Sequence, residues 1–140
     1  MKQNLIEKAT EIVSVKNMDC VLALINSAGY PTVSAITMAR NDGIKWIAFC
    51  TRTQSNKVER IKECNKASVC VYSVFPLYNI SLVGRIEIRT DIEIKKKMWY
   101  EECRYHWDGP DDKDLCVLKF TTERYNLMID YEEEVGTFDS

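Results

Sequence analysis

A short segment of the sequence, CTRTQSNKVERI, gathers hydrogen-bond donors at a point where an apolar stretch gives way to a helical one. Between residues 51 and 57, its hydroxyl groups and cations are contributed by Thr51, Thr53, Ser55, Arg52 and Lys57. Backbone N–H groups at a helix N-terminus have no intrahelical partner and carry partial positive charge, so an anion gains several hydrogen bonds there. A phosphate monoester offers many acceptor lone pairs and almost two negative charges. The segment therefore indicates a phosphate-binding turn.

The same residues also have a purely structural interpretation. Ser55 is an ordinary N-cap residue, and Arg52 and Lys57 could simply be solvated. No capping box supports the cap, because Val58 rather than Glu or Gln stands three residues after Ser55. The turn is not a P-loop, since it contains no glycine. On these residues alone, both interpretations stay open.

Hydrophobic periodicity predicts the elements that would position this turn. Strands are predicted at residues 20–27, 32–40, 44–51, 67–74, 78–90, 115–122 and 124–131, and helices at residues 3–15, about 55–63 and 91–106. An acidic tail would follow the last strand, and the run Lys95-Lys96-Lys97, flanked by acidic residues, predicts a solvated helix face. Strands in hairpins with few helices between them favour an antiparallel barrel over a parallel α/β sheet.

Composition narrows the class of protein. A chain of 140 residues fits one domain, and a net charge of -2 provides no basic field to attract nucleic acid. The six cysteines show neither CxxC pairs nor the spacing of a disulfide framework, and His106 is the only histidine, so no metal site is expected. No stretch is long and apolar enough to span a bilayer, and the N-terminus has no leader-like apolar region. We therefore expect a cytoplasmic protein that binds neither nucleic acid nor membranes.

The segment IAFCTRTQSNKVERIKECNKASVCVY resembles the FMN-binding split barrels related to pyridoxamine 5'-phosphate oxidase. In that family a strand ending in Thr is followed by Ser-x-Lys, a short helix, an Asn and another strand. Thr51, Ser55, Lys57 and Asn65 match this pattern. The segments GYPTVSAITMARNDGIKWIAF, SLVGRIEI and HWDGPDDKDLCVLKFTTERYNLM match further motifs, so the resemblance covers nearly the whole chain. It is greatest for the compact branch called general stress proteins.

This resemblance implies a mainly β fold in which residues 1–140 form a single six-stranded antiparallel FMN-binding split barrel with flanking helices. It also implies a homodimer, with FMN at the subunit interface. The residues implied to contact the FMN phosphate are Thr51, Ser55 and Lys57, with Arg52, Asn56 and Arg40 as further candidates. Those implied to run beside the isoalloxazine are Ser34, Ala35, Ile36 and Thr37. Trp107 has two alternatives: it covers the flavin ring, or it anchors its own loop on the barrel.

The function expected from the resemblance is that of an FMN-dependent oxidoreductase acting with a small-molecule electron donor or acceptor. The flavin would carry the redox chemistry, so no side chain need be a catalytic acid or base. Pyridoxine phosphate is not the expected substrate, because the chain ends DYEEEVGTFDS where the true oxidases carry Arg and His. The alternatives are a flavin-binding stress-response protein without turnover, or a deazaflavin or haem binder on the same scaffold.

Overall fold

A computed structural model describes residues 4–138, and within them the chain forms mainly antiparallel strands. The strands are β1 (Asp19–Ile25), β2 (Pro31–Asn41), β3 (Trp46–Arg52), β4 (Lys66–Ser73), β5 (Tyr78–Arg89), β6 (Leu115–Ile129) and β7 (Glu132–Thr137). The helices are α1 (Leu5–Val13), α2 (Asn56–Glu63) and α3 (Ile92–Met98), followed by a 3₁₀ helix at Glu101–Tyr105. The predicted mainly β fold is confirmed.

Six of these strands close into a barrel. The sheet order is β3-β2-β1-β4-β5-β6-β7, and a further pairing between β3 and β6 completes the ring. The first half of β6 pairs with β3 and its second half with β7, while β5 runs along its other edge. The register of β5 against β6 shifts next to Gly84, where a Cβ atom would collide with the Thr121 carbonyl oxygen. The barrel is therefore the predicted six-stranded antiparallel split barrel, with β7 as an additional strand.

Alternate strand residues fill the barrel, as the two-residue period of a strand requires. The largest buried side chains inside it include Phe49, Phe120, Leu22, Leu82 and Leu127. Helix α1 packs against β6 and β7, and α2 packs against β1 and β5. A second apolar cluster lies outside the barrel, where Met98 of α3 packs on Ala39, Ala48 and Val117. Helix α3 thus packs against β3, whose end leads through the donor-rich turn into α2.

Three predicted boundaries are wrong. The helix predicted at residues 91–106 is interrupted after Met98 and continues as the short 3₁₀ helix. Residues 115–122 and 124–131 are not two strands but the single strand β6. The acidic tail forms β7 as far as Thr137, because β6 extends beyond β3 and its backbone groups there need a partner. A two-residue turn with positive φ at Asp130 and Tyr131 connects the two strands.

The prediction of a solvated lysine run is wrong for one of its three members. Lys95 is buried, with 6% of its surface accessible, and its Nζ donates a hydrogen bond of 2.8 Å to the Asp112 carbonyl oxygen. Lys96 and Lys97 are exposed, as predicted. No helix within residues 4–138 has both the length and the apolar character that crossing a membrane would require.

Candidate functional site

The barrel opens between β2 and β3. Strand β3 pairs with β2 only at Met38, Arg40 and Asn41, so residues 31–37 of β2 have β1 on one edge and no strand on the other. Residues 50–52 of β3 likewise pair with β6 alone. We call the opening between residues 34–37 and 50–52 the β2–β3 cleft. Both of its edges present backbone N–H and C=O groups that no sheet ladder uses.

The register of β2 against β1 shows which side chains of residues 34–37 face the barrel interior and which face outward. Ser34 and Ile36 lie opposite the buried residues Leu22 and Cys20, so they face the barrel interior. Ala35 is exposed on the outer face. Thr37 also faces outward, and its hydroxyl donates a 2.6 Å hydrogen bond to Asp19 Oδ1. The four residues predicted to line the isoalloxazine therefore share an open strand edge, with side chains on both faces.

The donor-rich turn lies at the end of β3. Ser55 is the N-cap of α2, and its Oγ accepts a hydrogen bond of 3.2 Å from the Val58 backbone N–H. Ser55 therefore caps the helix, which is the structural role considered for it above. The N–H groups of the first two helical residues, Asn56 and Lys57, have no intrahelical acceptor and point out of the helix end. The Asn56 side chain is exposed.

Lys57 and Thr51 are the half-buried turn residues whose side chains are left free. Both are half-buried, and within residues 4–138 neither side chain makes a hydrogen bond or an ion pair. Lys62 on the same helix is different, because its Nζ lies 3.5 Å from Glu59 Oε1. The Lys57 ammonium group thus has no protein partner among the described residues, although the residue is half-buried. Lys57 and Thr51 are thus available to bind an anion.

Arg52 and Thr53 are already engaged by the loop of residues 107–114. The Arg52 Nε atom lies 2.9 Å from Asp114 Oδ2. The Thr53 hydroxyl donates to the Lys113 carbonyl oxygen at 2.9 Å, and the Thr53 N–H donates to the Asp114 carbonyl oxygen at 3.0 Å. The donors of the turn therefore divide into a group that holds this loop and a group that remains free.

Arg40 is on the outer face at the point where β2 and β3 separate. Its guanidinium donates to the carbonyl oxygens of Ala39 at 3.0 Å and of Trp99 at 3.2 Å. Burial raises the pKa of the neighbouring Cys50 thiol, contacts with Cys103 add to this shift, and the positive charge of Arg40 opposes it. The structure thus brings Arg40 close to the end of β3, but with its guanidinium partly occupied.

Trp107 is buried at the start of the 107–114 loop. Only 8% of its surface is accessible, it packs with Cys103 and Leu115, and its Nε1–H donates to the Asp114 carbonyl oxygen at 3.0 Å. It therefore anchors its loop on the barrel. Sequence reasoning missed Asp114 and the buried Lys95, because the contacts that give them a role join residues far apart in the chain.

The chain is similar in sequence and in fold to known proteins. A family model described as pyridoxamine 5'-phosphate oxidase matches residues 7–129. Curated protein sequences give no significant match. A solved protein from Clostridium acetobutylicum, related to general stress protein 26 of B. subtilis, is 26% identical, with a TM-score of 0.86 and coverage of 99% of this chain and 98% of its own.

Two more distant structures show the fold alone. A heme binding protein from Mycobacterium smegmatis is 16% identical with a TM-score of 0.80, and the match covers 98% of this chain and 59% of that one. A pyridoxamine 5'-phosphate oxidase-related, FMN binding protein from Nostoc punctiforme is 13% identical with a TM-score of 0.70, covering 95% and 92%. The scaffold is thus shared by proteins that bind different cofactors.

Proposed function

Because the chain belongs to the pyridoxamine 5'-phosphate oxidase family, we propose that it binds FMN, with the phosphate at the donor-rich turn and the ring along the β2–β3 cleft. The observation that carries the proposal is the cleft itself. It places an open strand edge, residues 34–37, beside a turn whose half-buried Lys57 has no partner. A flat ring with a hydrogen-bonding edge and a phosphate tail needs this combination of groups.

The donors present suit the phosphate. Lys57 supplies a cation, Thr51 a hydroxyl, and the first N–H groups of α2 supply two more donors near a positive helix end. Arg40 and Arg52 add positive charge nearby, although each already donates to protein groups. The pyrimidine edge of a flavin alternates carbonyl and N–H groups, which an unpaired strand edge can match. FMN therefore fits both parts of the site.

In this proposal the protein is an FMN-dependent oxidoreductase that uses a small-molecule electron donor or acceptor. The cofactor supplies hydride and electron transfer, and the chain supplies binding, orientation and electrostatics. The outer end of the cleft holds Thr37 and Asp19 within a polar cavity of about 440 Å³ that also includes Tyr100 and His106. Rapid bleaching of the bound flavin by NADH or NADPH would distinguish an enzyme from a flavin-binding protein without turnover.

Haem binding is a weaker candidate on this scaffold. His106, the only histidine, is exposed, and its ring packs edge-on against Trp107 with centroids 5.6 Å apart. It does not face a buried apolar pocket of the kind a haem would occupy.

We expect FMN to bind at least about tenfold more tightly than riboflavin, because only FMN carries the phosphate that the charge-assisted donors of the turn recognise. Titrating the purified protein with each ligand and following flavin fluorescence measures both dissociation constants. Equal affinity for the two flavins would contradict the phosphate assignment.

We also propose a homodimer formed through the outer face of β1, β2, β4 and β5. This face exposes apolar side chains, with 70% of Val33, 67% of Tyr72 and 41% of Val83 accessible. Large exposed apolar patches are uncommon on monomers. The face borders residues 34–37, so a second copy packed there would cover the flavin ring.

Light scattering should accordingly give a mass twice that of the chain, and Tyr72→Asp should shift it towards the monomer by placing a charge in the apolar interface. Tyr105→Asp is the matched control, because Tyr105 is equally exposed, at 71%, but lies on the 3₁₀ helix. A monomeric wild-type protein with flavin bound would refute the dimer.

A further inference from the structure

The loop of residues 107–114 is attached to the donor-rich turn through main-chain groups. A single carbonyl oxygen, that of Asp114, accepts the Thr53 N–H and the Trp107 indole N–H, each at 3.0 Å. The Thr53 hydroxyl adds a bond to the neighbouring Lys113 carbonyl, and Arg52 adds an ion pair to the Asp114 carboxylate. Three contacts thus join the loop to Arg52 and Thr53 of the turn, and the Trp107 bond holds the Asp114 carbonyl within the loop.

Asp112 gives the loop its shape. Its Oδ2 accepts the N–H of Asp108 at 3.0 Å, and its Oδ1 accepts the N–H of Asp114 at 2.9 Å. These two backbone hydrogen bonds lower the pKa of the Asp112 carboxyl group, so it stays ionised at neutral pH. The carboxylate therefore closes the loop and orients the residue that contacts the turn.

Lys95 fastens this loop to the barrel. It is the buried member of the lysine run, and its ammonium group donates to the Asp112 carbonyl oxygen at 2.8 Å. The same carbonyl accepts the Leu115 N–H at 3.1 Å, where β6 begins. A lysine is rarely buried unless its charge has a defined partner. A continuous series of contacts therefore runs from α3 through the loop to the turn.

We propose that the 107–114 loop is a brace that holds the donor-rich turn in its phosphate-binding conformation, with Asp112 and Lys95 as positioning residues. This inference rests on the proposed FMN site. Neither residue contacts the phosphate; each limits the conformations available to Thr53 and, through it, to the start of α2. If the brace is weakened, only a fraction of molecules holds a competent turn, and the apparent dissociation constant rises by the inverse of that fraction.

The chain provides matched controls for both residues. Asp112→Asn keeps one acceptor oxygen but places an amide NH₂ against a backbone N–H, whereas Asp111→Asn changes an exposed neighbour that makes no such bonds. Lys95→Met removes the buried ammonium group at similar volume, and Lys96→Met alters the adjacent exposed lysine. Each variant is titrated with FMN and with riboflavin.

We expect Asp112→Asn and Lys95→Met to raise the FMN dissociation constant about three- to tenfold, which corresponds to a competent fraction of about 0.1–0.3. Riboflavin affinity, and both affinities of the control variants, should change less than twofold. FMN affinity within twofold of wild type in both brace variants, or equal weakening of the two flavins, would overturn the inference. Wild-type protein that shows no preference for FMN would instead overturn the phosphate site itself. Should Lys95→Met fail to fold, Asp112→Asn still provides the test, because the Asp112 side chain is only partly buried.

Discussion

Replacing Lys57 with alanine should weaken FMN binding about 10- to 150-fold. A hydrogen bond to a charged group is worth about 1.5–3 kcal/mol, and this range of free energy corresponds to that change in affinity. Lys57 is half-buried and has no partner among the described residues, so its ammonium group is available to the phosphate without first breaking an ion pair. Fluorescence titration of the purified variant measures the loss.

Two controls make the Lys57 experiment specific. Riboflavin lacks the phosphate, so its affinity should barely change in the variant. Lys62→Ala removes a lysine from the same helix whose side chain is 61% exposed and pairs with Glu59, and it should leave both flavins bound as in wild type. Equal weakening of FMN and riboflavin by Lys57→Ala would show that Lys57 supports the fold and not the phosphate.

Replacing Trp107 with alanine should lower the free energy of unfolding by about 3–5 kcal/mol, the usual cost of removing a large aromatic side chain from a core. Only 8% of the Trp107 surface is accessible, and the side chain packs with Cys103 and Leu115. The substitution leaves a cavity beneath the loop and removes the indole N–H that binds the Asp114 carbonyl. Denaturant unfolding followed by circular dichroism measures the change.

Tyr105→Ala is the matched control for Trp107. Tyr105 lies two residues earlier and is 71% exposed, so its removal should change stability by less than about 0.5 kcal/mol. Trp107→Phe separates the two roles considered for the tryptophan, since phenylalanine keeps most of the packing and loses the hydrogen bond. A stable Trp107→Ala protein with weakened flavin binding would contradict the anchoring role and favour the flavin-covering one.

Local pattern was enough to predict most of the barrel. The alternation in β1 and β5, the Gly-containing turn before β2 and the helical spacing of α2 all arise from residues close together in the sequence, where periodicity and turn chemistry act directly. The donor-rich turn was predicted for the same reason. Strand β7 was missed because three consecutive glutamates resemble a solvated tail, and only the unpaired edge of β6 makes them a strand.

The contacts that engage some donors of the turn and leave others free could not be predicted from local pattern. Arg52 and Asp114 are 62 residues apart in sequence, and Thr53 and Lys113 are 60 apart. Nothing in either segment alone indicates that Arg52 is paired while Lys57 is not. The same limit applies to Lys95, whose burial depends on the position of the 107–114 loop and not on the helix that carries it.

The position of β6 between β3 and β5 has a consequence for folding during synthesis. Every strand of the open sheet β3-β2-β1-β4-β5 precedes residue 115, yet both outer edges of that sheet are covered only by β6. A chain emerging from the ribosome therefore carries two exposed strand edges and an uncovered apolar interior until residues 115–129 have been synthesised. Unpaired edges of this kind are templates for intermolecular association. The nascent chain is thus most vulnerable to aggregation after β5 has emerged and before β6 has, and the arrival of a single strand ends that interval.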